Sequence, residues 1–174
     1  SHQNSDDVAA LQLWVNVGSI KETAQQRGMA HFVEHMIFKG SQRFPEQAMA
    51  RTVEAHGGDL NAYTSFEHTV VHLTLPAEAA TKGLEVLQDV AQNCFFDEEE
   101  IERERLVILE EIKRGLESPS QIVGQEAFSQ LFQGSELGRP IIGSVESVSG
   151  FTRDEIYAFY PVSYTHLRAH ETPA

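Results

Sequence analysis

A helix that is apolar on every side has to be buried, and residues 27–38 spell such a helix with three polar side chains set into it. Phe32, Val33, Met36, Ile37 and Phe38 surround His31, Glu34 and His35. The spacing i, i+3, i+4 puts those three on one face. Burying them without partners costs several kcal/mol, so the fold must bring something to them. Two imidazoles one turn apart can grip one metal ion, and a carboxylate between them can reach a metal-bound water. The order His-x-x-Glu-His inverts the more familiar arrangement, in which the Glu follows the first His. Taken alone, the triplet also fits surface or satisfied core histidines, because a chain with eight His shows such spacings by chance.

Catalytic zinc takes three protein ligands and a water, so a two-His site needs a third donor. The acidic stretch from Asp97 offers Glu104, Glu110 and Glu111 on one long predicted helix. At about 100° per residue, Ile101, Ile108, Leu109 and Ile112 form the apolar stripe. Glu111 and Glu104 fall together at one flank of that stripe, and Glu110 falls opposite it. Helix phase therefore prefers Glu111 as the inward ligand. Glu104, two turns earlier, is placed to orient a ligand imidazole by hydrogen bonding.

Elsewhere, residues 8–17 alternate with Leu11, Leu13 and Val15 on one side, which predicts a strand with one buried face. Pro45 is placed to open a second helix that stops at Gly57-Gly58. Residues 59–65 and 67–75 read as hairpin partners. Pro76 opens a helix to about Asn93, Asp97 caps one to about Glu117, and Ser118-Pro119 restarts the chain for one reaching Phe132. Residues 134–150 read as a glycine-rich loop, and Thr152 with Glu155 as a capping box for a short helix through Tyr160. Strands and helices mix without a strict βαβ rhythm. That predicts an α+β fold, with a mixed, largely antiparallel sheet and helices packed on one side.

With 174 residues, 41% of them apolar, the chain can bury one sizeable core. Its formal charge of −13 argues against nucleic acid as a partner. No run approaches the roughly 18 apolar residues of a membrane span. The single cysteine, Cys94, sits beside Phe95 and Phe96 and reads as a buried thiol. The chain opens without an initiator Met or a basic-then-apolar leader, so a targeting segment is expected to have been trimmed or never included.

The stretch Gly28-Met29-Ala30-His31-Phe32-Val33-Glu34-His35-Met36-Ile37-Phe38-Lys39-Gly40 resembles the pitrilysin/insulinase family of inverted-motif zinc metallopeptidases, which includes mitochondrial processing peptidase. The resemblance continues through residues 14–22, the Gly-Gly-x-x-Asn-Ala segment at 57–64, residues 102–112, and Arg139-Pro140-Ile141-Ile142-Gly143-Ser144. It implies a third ligand at the spacing that separates His35 from Glu111, 76 positions, in agreement with helix phase. It also implies one Zn²⁺ per domain, held by His31, His35 and Glu111. Glu34 would be the general base on zinc-bound water in an endopeptidase that hydrolyses peptides or unfolded segments bound as extended strands. Asn61 and Ala62 match the edge-strand segment that pairs with substrate backbone. His56, His68 and His72 have no such support and read as structural or surface residues.

Members of the family pair repeated α+β domains, within one chain or across subunits, so a companion C-terminal homologous domain or subunit is the implied partner. The alternative is a non-catalytic binding or assembly subunit, or an inert truncated domain, of the same fold. Residues 1–160 are expected to form the zinc-binding catalytic domain, incomplete at both ends. Residues 161–174 read as a non-native tail, so His166 and His170 are set aside from the metal site. Of the compartments, bacterial periplasm or cytoplasm is favoured over the mitochondrion.

Overall fold

The computed structural model of the chain describes residues 7–164. In chain order these form β1 (Val8–Val15), α1 (Met29–Met36), α2 (Ala48–Ala55), β2 (Asp59–Thr64), β3 (Thr69–Pro76), α3 (Ala80–Gln92), α4 (Glu98–Glu117), α5 (Pro119–Leu131), α6 (Val145–Gly150) and α7 (Arg153–Tyr164). The architecture is α+β, as the sequence predicts.

The three strands form one sheet in the order β1-β3-β2, and both pairings are antiparallel. Register follows the alternation of side chains. Leu11, Leu73 and Leu60 lie in one cross-strand row, and Leu13, Val71 and Ala62 in the next. These rows face the helices and join the core. The opposite face carries Gln12, Trp14, Asn61, Tyr63 and Thr74, all exposed. Helices therefore cover one side only. With β3 in the centre, β2 has no strand on its far side among the described residues.

Helix α1 lies in the middle of this core, with Met29, Phe32, Val33 and Met36 buried. It starts two residues later than its apolar run, because Gly28 takes φ +90° as its N-cap. There the chain meets the 140–143 loop with bare backbone on both sides. A Cβ on Gly28 would stand 2.6 Å from the Ile142 oxygen, and one on Gly143 (φ +84°) would stand 2.6 Å from the Arg27 oxygen. Only glycine fits at either position.

Helix α4 packs along α1. Asp97 caps it by accepting the Glu99 N–H at 2.9 Å, and Glu98, Glu99 and Glu100 complement the positive end of its dipole. Arg105 ties α4 to its neighbours. It donates to the carbonyls of Val148 and Phe151 and lies 5.6 Å from the Phe32 ring centroid.

Several boundaries differ from those the sequence predicts. Helix α2 begins at Ala48 rather than Pro45, because Glu46 takes φ +53° and Ala48 closes a turn on the Pro45 oxygen. The predicted 134–150 loop contains α6, capped reciprocally by Ser144 and Ser147. The Thr152–Glu155 capping box forms, and α7 runs past Tyr160 to Tyr164. Residues 165–174, with His166 and His170 of the predicted tail, lie outside the described residues. Among those described, no helix is long and apolar enough to cross a membrane.

Candidate metal centre

Three elements converge at the hydrophilic face of α1. The helix itself contributes His31, Glu34 and His35, while α4 brings Glu104 and Glu111, and β2 brings Thr64. The potential ligand atoms of His31, His35 and Glu111 all lie within 4.8 Å of one another, the one such group of His, Cys, Asp or Glu among the described residues. Glu111 Oε2 stands 4.0 Å from His31 Nε2 and 3.7 Å from His35 Nε2. An ion with bonds of about 2.1 Å in tetrahedral geometry sets its donors about 3.4 Å apart. The observed separations are therefore slightly open around a space of the right size.

The protonation pattern suits a cation. The His35 Nδ1 lies 3.0 Å from Glu104 Oε2. An ionised carboxylate accepts only, so Nδ1 carries a hydrogen, and Nε2 is the ring nitrogen that faces Glu111. Glu104 is buried, which pushes its carboxyl up. The hydrogen bond from His35 and the ion pair with Lys39 Nζ at 2.5 Å outweigh that burial and hold it below the ordinary carboxylate range. Burial, with the neighbouring His35, pushes His31 down to about 4. His31 is thus neutral and able to donate a lone pair, and its buried Nδ1 has no hydrogen-bond partner. Two imidazole nitrogens and a carboxylate oxygen form a donor set suited to zinc.

Glu34 sits beside this set without joining it. Its Oε2 accepts the Thr64 hydroxyl hydrogen at 2.5 Å. Burial raises its carboxyl above the ordinary range, although Thr64 opposes the rise. A carboxylate held close to a cation site with a raised proton affinity is a stronger base toward a neighbouring water than an exposed one.

The structure thus brings together His31, His35 and Glu111, with Glu104 behind His35. Glu110 points away, its side chain 65% exposed. Asn61 lies on the outer face of β2, and its side-chain oxygen accepts the Ala62 N–H at 2.9 Å. His56 bonds back to the Thr52 carbonyl, His68 packs on Trp14 and His72 faces Tyr63. Cys94 is buried, and burial pushes its thiol up to about 12. Sequence reasoning missed two residues, Thr64 and Lys39. Thr64 shares strand parity with the inward-facing Leu60 and Ala62, and Lys39 follows His35 by four positions; the sequence shows which way each side chain faces but not the carboxylate it meets.

The model of the insulinase family, Peptidase family M16, matches residues 1–145. The beta subunit of mitochondrial-processing peptidase from Dictyostelium discoideum is 37% identical over 166 residues, covering 95% of this chain and 35% of that protein. An uncharacterised zinc protease of Rickettsia felis is 35% identical over 158 residues, 91% of this chain and 38% of its own length. Among solved structures, the periplasmic protease PqqL from Escherichia coli superposes with a TM-score of 0.84 at 30% identity, covering 91% of this chain and 18% of that one. The chain spans little more than a third of the length of the two sequence relatives. The match over most of its length shows that the chain belongs to the insulinase family of peptidases, family M16.

Proposed function

We propose that this chain carries the catalytic residues of a zinc-dependent endopeptidase, with one zinc ion held by His31, His35 and Glu111. The observation that carries the reading is the meeting of three ligand atoms within 4.8 Å beside a fourth side chain, Glu34, that stays free of them. When bound, zinc would polarise the scissile carbonyl and stabilise the charge that develops on it. Glu34 takes the proton of the attacking water, and Glu104 holds the His35 ring in one tautomer. An extended peptide would add to the open side of β2 at Asn61 and Ala62. Main-chain bonding there accommodates many sequences. Relatives include a protein named as a subunit, which supports a companion half that closes the site around substrate.

The test pairs metal analysis with a quenched-fluorescence peptide assay, on the chain alone and joined to a homologous second half. One zinc per chain, with cleavage abolished by chelation and by Glu34→Gln, is the expected result. Zinc bound without cleavage by the joined protein would favour a binding or assembly subunit instead. Absence of zinc from the purified protein would overturn the ligand assignment.

A further inference from the structure

Glu22 is a buried carboxylate that the proposed chemistry does not use. Only 6% of its surface is exposed, and burial pushes its carboxyl up to about 7. A charge is not kept in such a place without partners. Its partners are backbone amides at the start of α1. Oε2 accepts the Gly28 N–H and Oε1 accepts the Ala30 N–H, each at 2.8 Å. The first amides of a helix lack partners within the helix, and the N-cap here is a glycine with no side chain to offer. The cap therefore comes from outside the helix and grips two amides at once. The next residue is His31.

The other end of this contact is equally fixed. Glu22 closes the short turn Ser19–Lys21. That turn is tied to the β2–β3 hairpin, with the Ser19 N–H donating to the Ser65 oxygen at 3.3 Å and the Ile20 N–H to the Phe66 oxygen at 2.9 Å. Ser65 directly follows Thr64, which holds Glu34. One chain of contacts thus runs from the residue before His31, through the Glu22 carboxylate and its turn, to the residue after Thr64.

We propose that Glu22 is a positioning residue for the metal centre, a strut that sets the first turn of α1, and with it His31, against the hairpin that holds Glu34. This rests on the reading of His31, His35 and Glu111 as metal ligands. An isosteric Gln has one acceptor oxygen, and its NH₂ would oppose the second amide. An Asp keeps the charge but is shorter by one methylene, too short to engage both amides in the same place.

The experiment titrates cobalt(II) into the full chain at mildly alkaline pH and follows the visible absorption of the bound ion, which reports its coordination geometry. The variants are Glu22→Gln, Glu22→Asp, His31→Ala and Leu75→Ala, the last lowering stability from a buried position on β3. Glu22→Gln should weaken cobalt binding about tenfold, as loss of a ligand-orienting contact does, and alter the absorption band. Glu22→Asp should fall between it and the wild type. Leu75→Ala should lose stability while keeping wild-type affinity and spectrum, which separates positioning from stability alone. Wild-type affinity and spectrum in Glu22→Gln, or in Glu22→Asp if the Gln variant does not fold, would overturn the proposal while leaving the metal centre standing. Equal binding by wild type and His31→Ala would overturn the metal centre, and the strut with it.

Discussion

Thr64 donates its hydroxyl hydrogen to Glu34 across 2.5 Å, so the strand at the sheet edge orients a carboxylate on the central helix. A hydrogen bond to a charged group contributes about 1.5–3 kcal/mol. Thr64→Val keeps the shape and removes the donor. In a protein completed by a companion half, kcat should fall about ten- to hundredfold while zinc content stays unchanged. Steady-state peptide hydrolysis alongside metal analysis checks this; an undiminished kcat would show that Glu34 needs no such partner.

Metal binding should distinguish adjacent carboxylates. Glu111→Gln and His31→Ala should abolish tight zinc binding, and Glu104→Gln should weaken it about ten- to hundredfold through the loosened His35 ring. Glu110→Gln, one residue away and outward-facing, should have no effect. Competition with a chromophoric chelator measures all four.

Glu22 and His31 make opposite contributions to the pH dependence of the metal-free protein. The folded Glu22 carboxyl, moved from an ordinary 4.5 to about 7, holds its proton where the unfolded chain has lost it. Its contribution is fully present below pH 4.5 and is lost as pH rises through about 7, a change of about 3 kcal/mol. His31, lowered from 6.5 to about 4, contributes stability above pH 6.5 that is lost as pH falls through about 4. These two contributions therefore largely cancel each other between pH 4.5 and 6.5. Metal-free Glu22→Gln should gain stability relative to wild type as pH rises from 4.5 to about 7, read by urea unfolding of both at each pH. A profile parallel to wild type would refute the assignment to Glu22.

Arg105 supplies the partners of two buried carbonyls, those of Val148 and Phe151. Arg105→Met keeps much of the packing on Phe32 and leaves both oxygens without their donor. Stability should drop by about 3 kcal/mol, seen as a lower urea midpoint with an unchanged slope. A midpoint within experimental error of wild type would mean that other groups satisfy those carbonyls.

Much of the site was legible because helix phase is a local property. Ile101, Ile108 and Ile112 mark the buried stripe of α4 whatever lies across from it, and that alone separates Glu111 from Glu110. The alternation in β1 and the capping by Asp97 were legible for the same reason. What the sequence hid is what depends on contacts across the fold. The grip of Thr64 on Glu34 and of Glu22 on the amides of Gly28 and Ala30 joins segments whose meeting no local pattern encodes. The start of α2 was hidden by the positive φ of Glu46, a residue type that ordinarily favours a helix. Helix α6 was hidden by the glycines around it, and its cap is a pair of serines that read as loop.

The Gly28–Gly143 contact, finally, bears on how this chain can change over generations. Each glycine meets the other's segment through backbone alone. A side chain gained at one cannot be accommodated by trimming the other, since neither has anything left to remove. Second-site suppressors of a Gly28 substitution should therefore be sought in the course of the 140–143 loop, by deletion or rerouting, rather than in any compensating side chain.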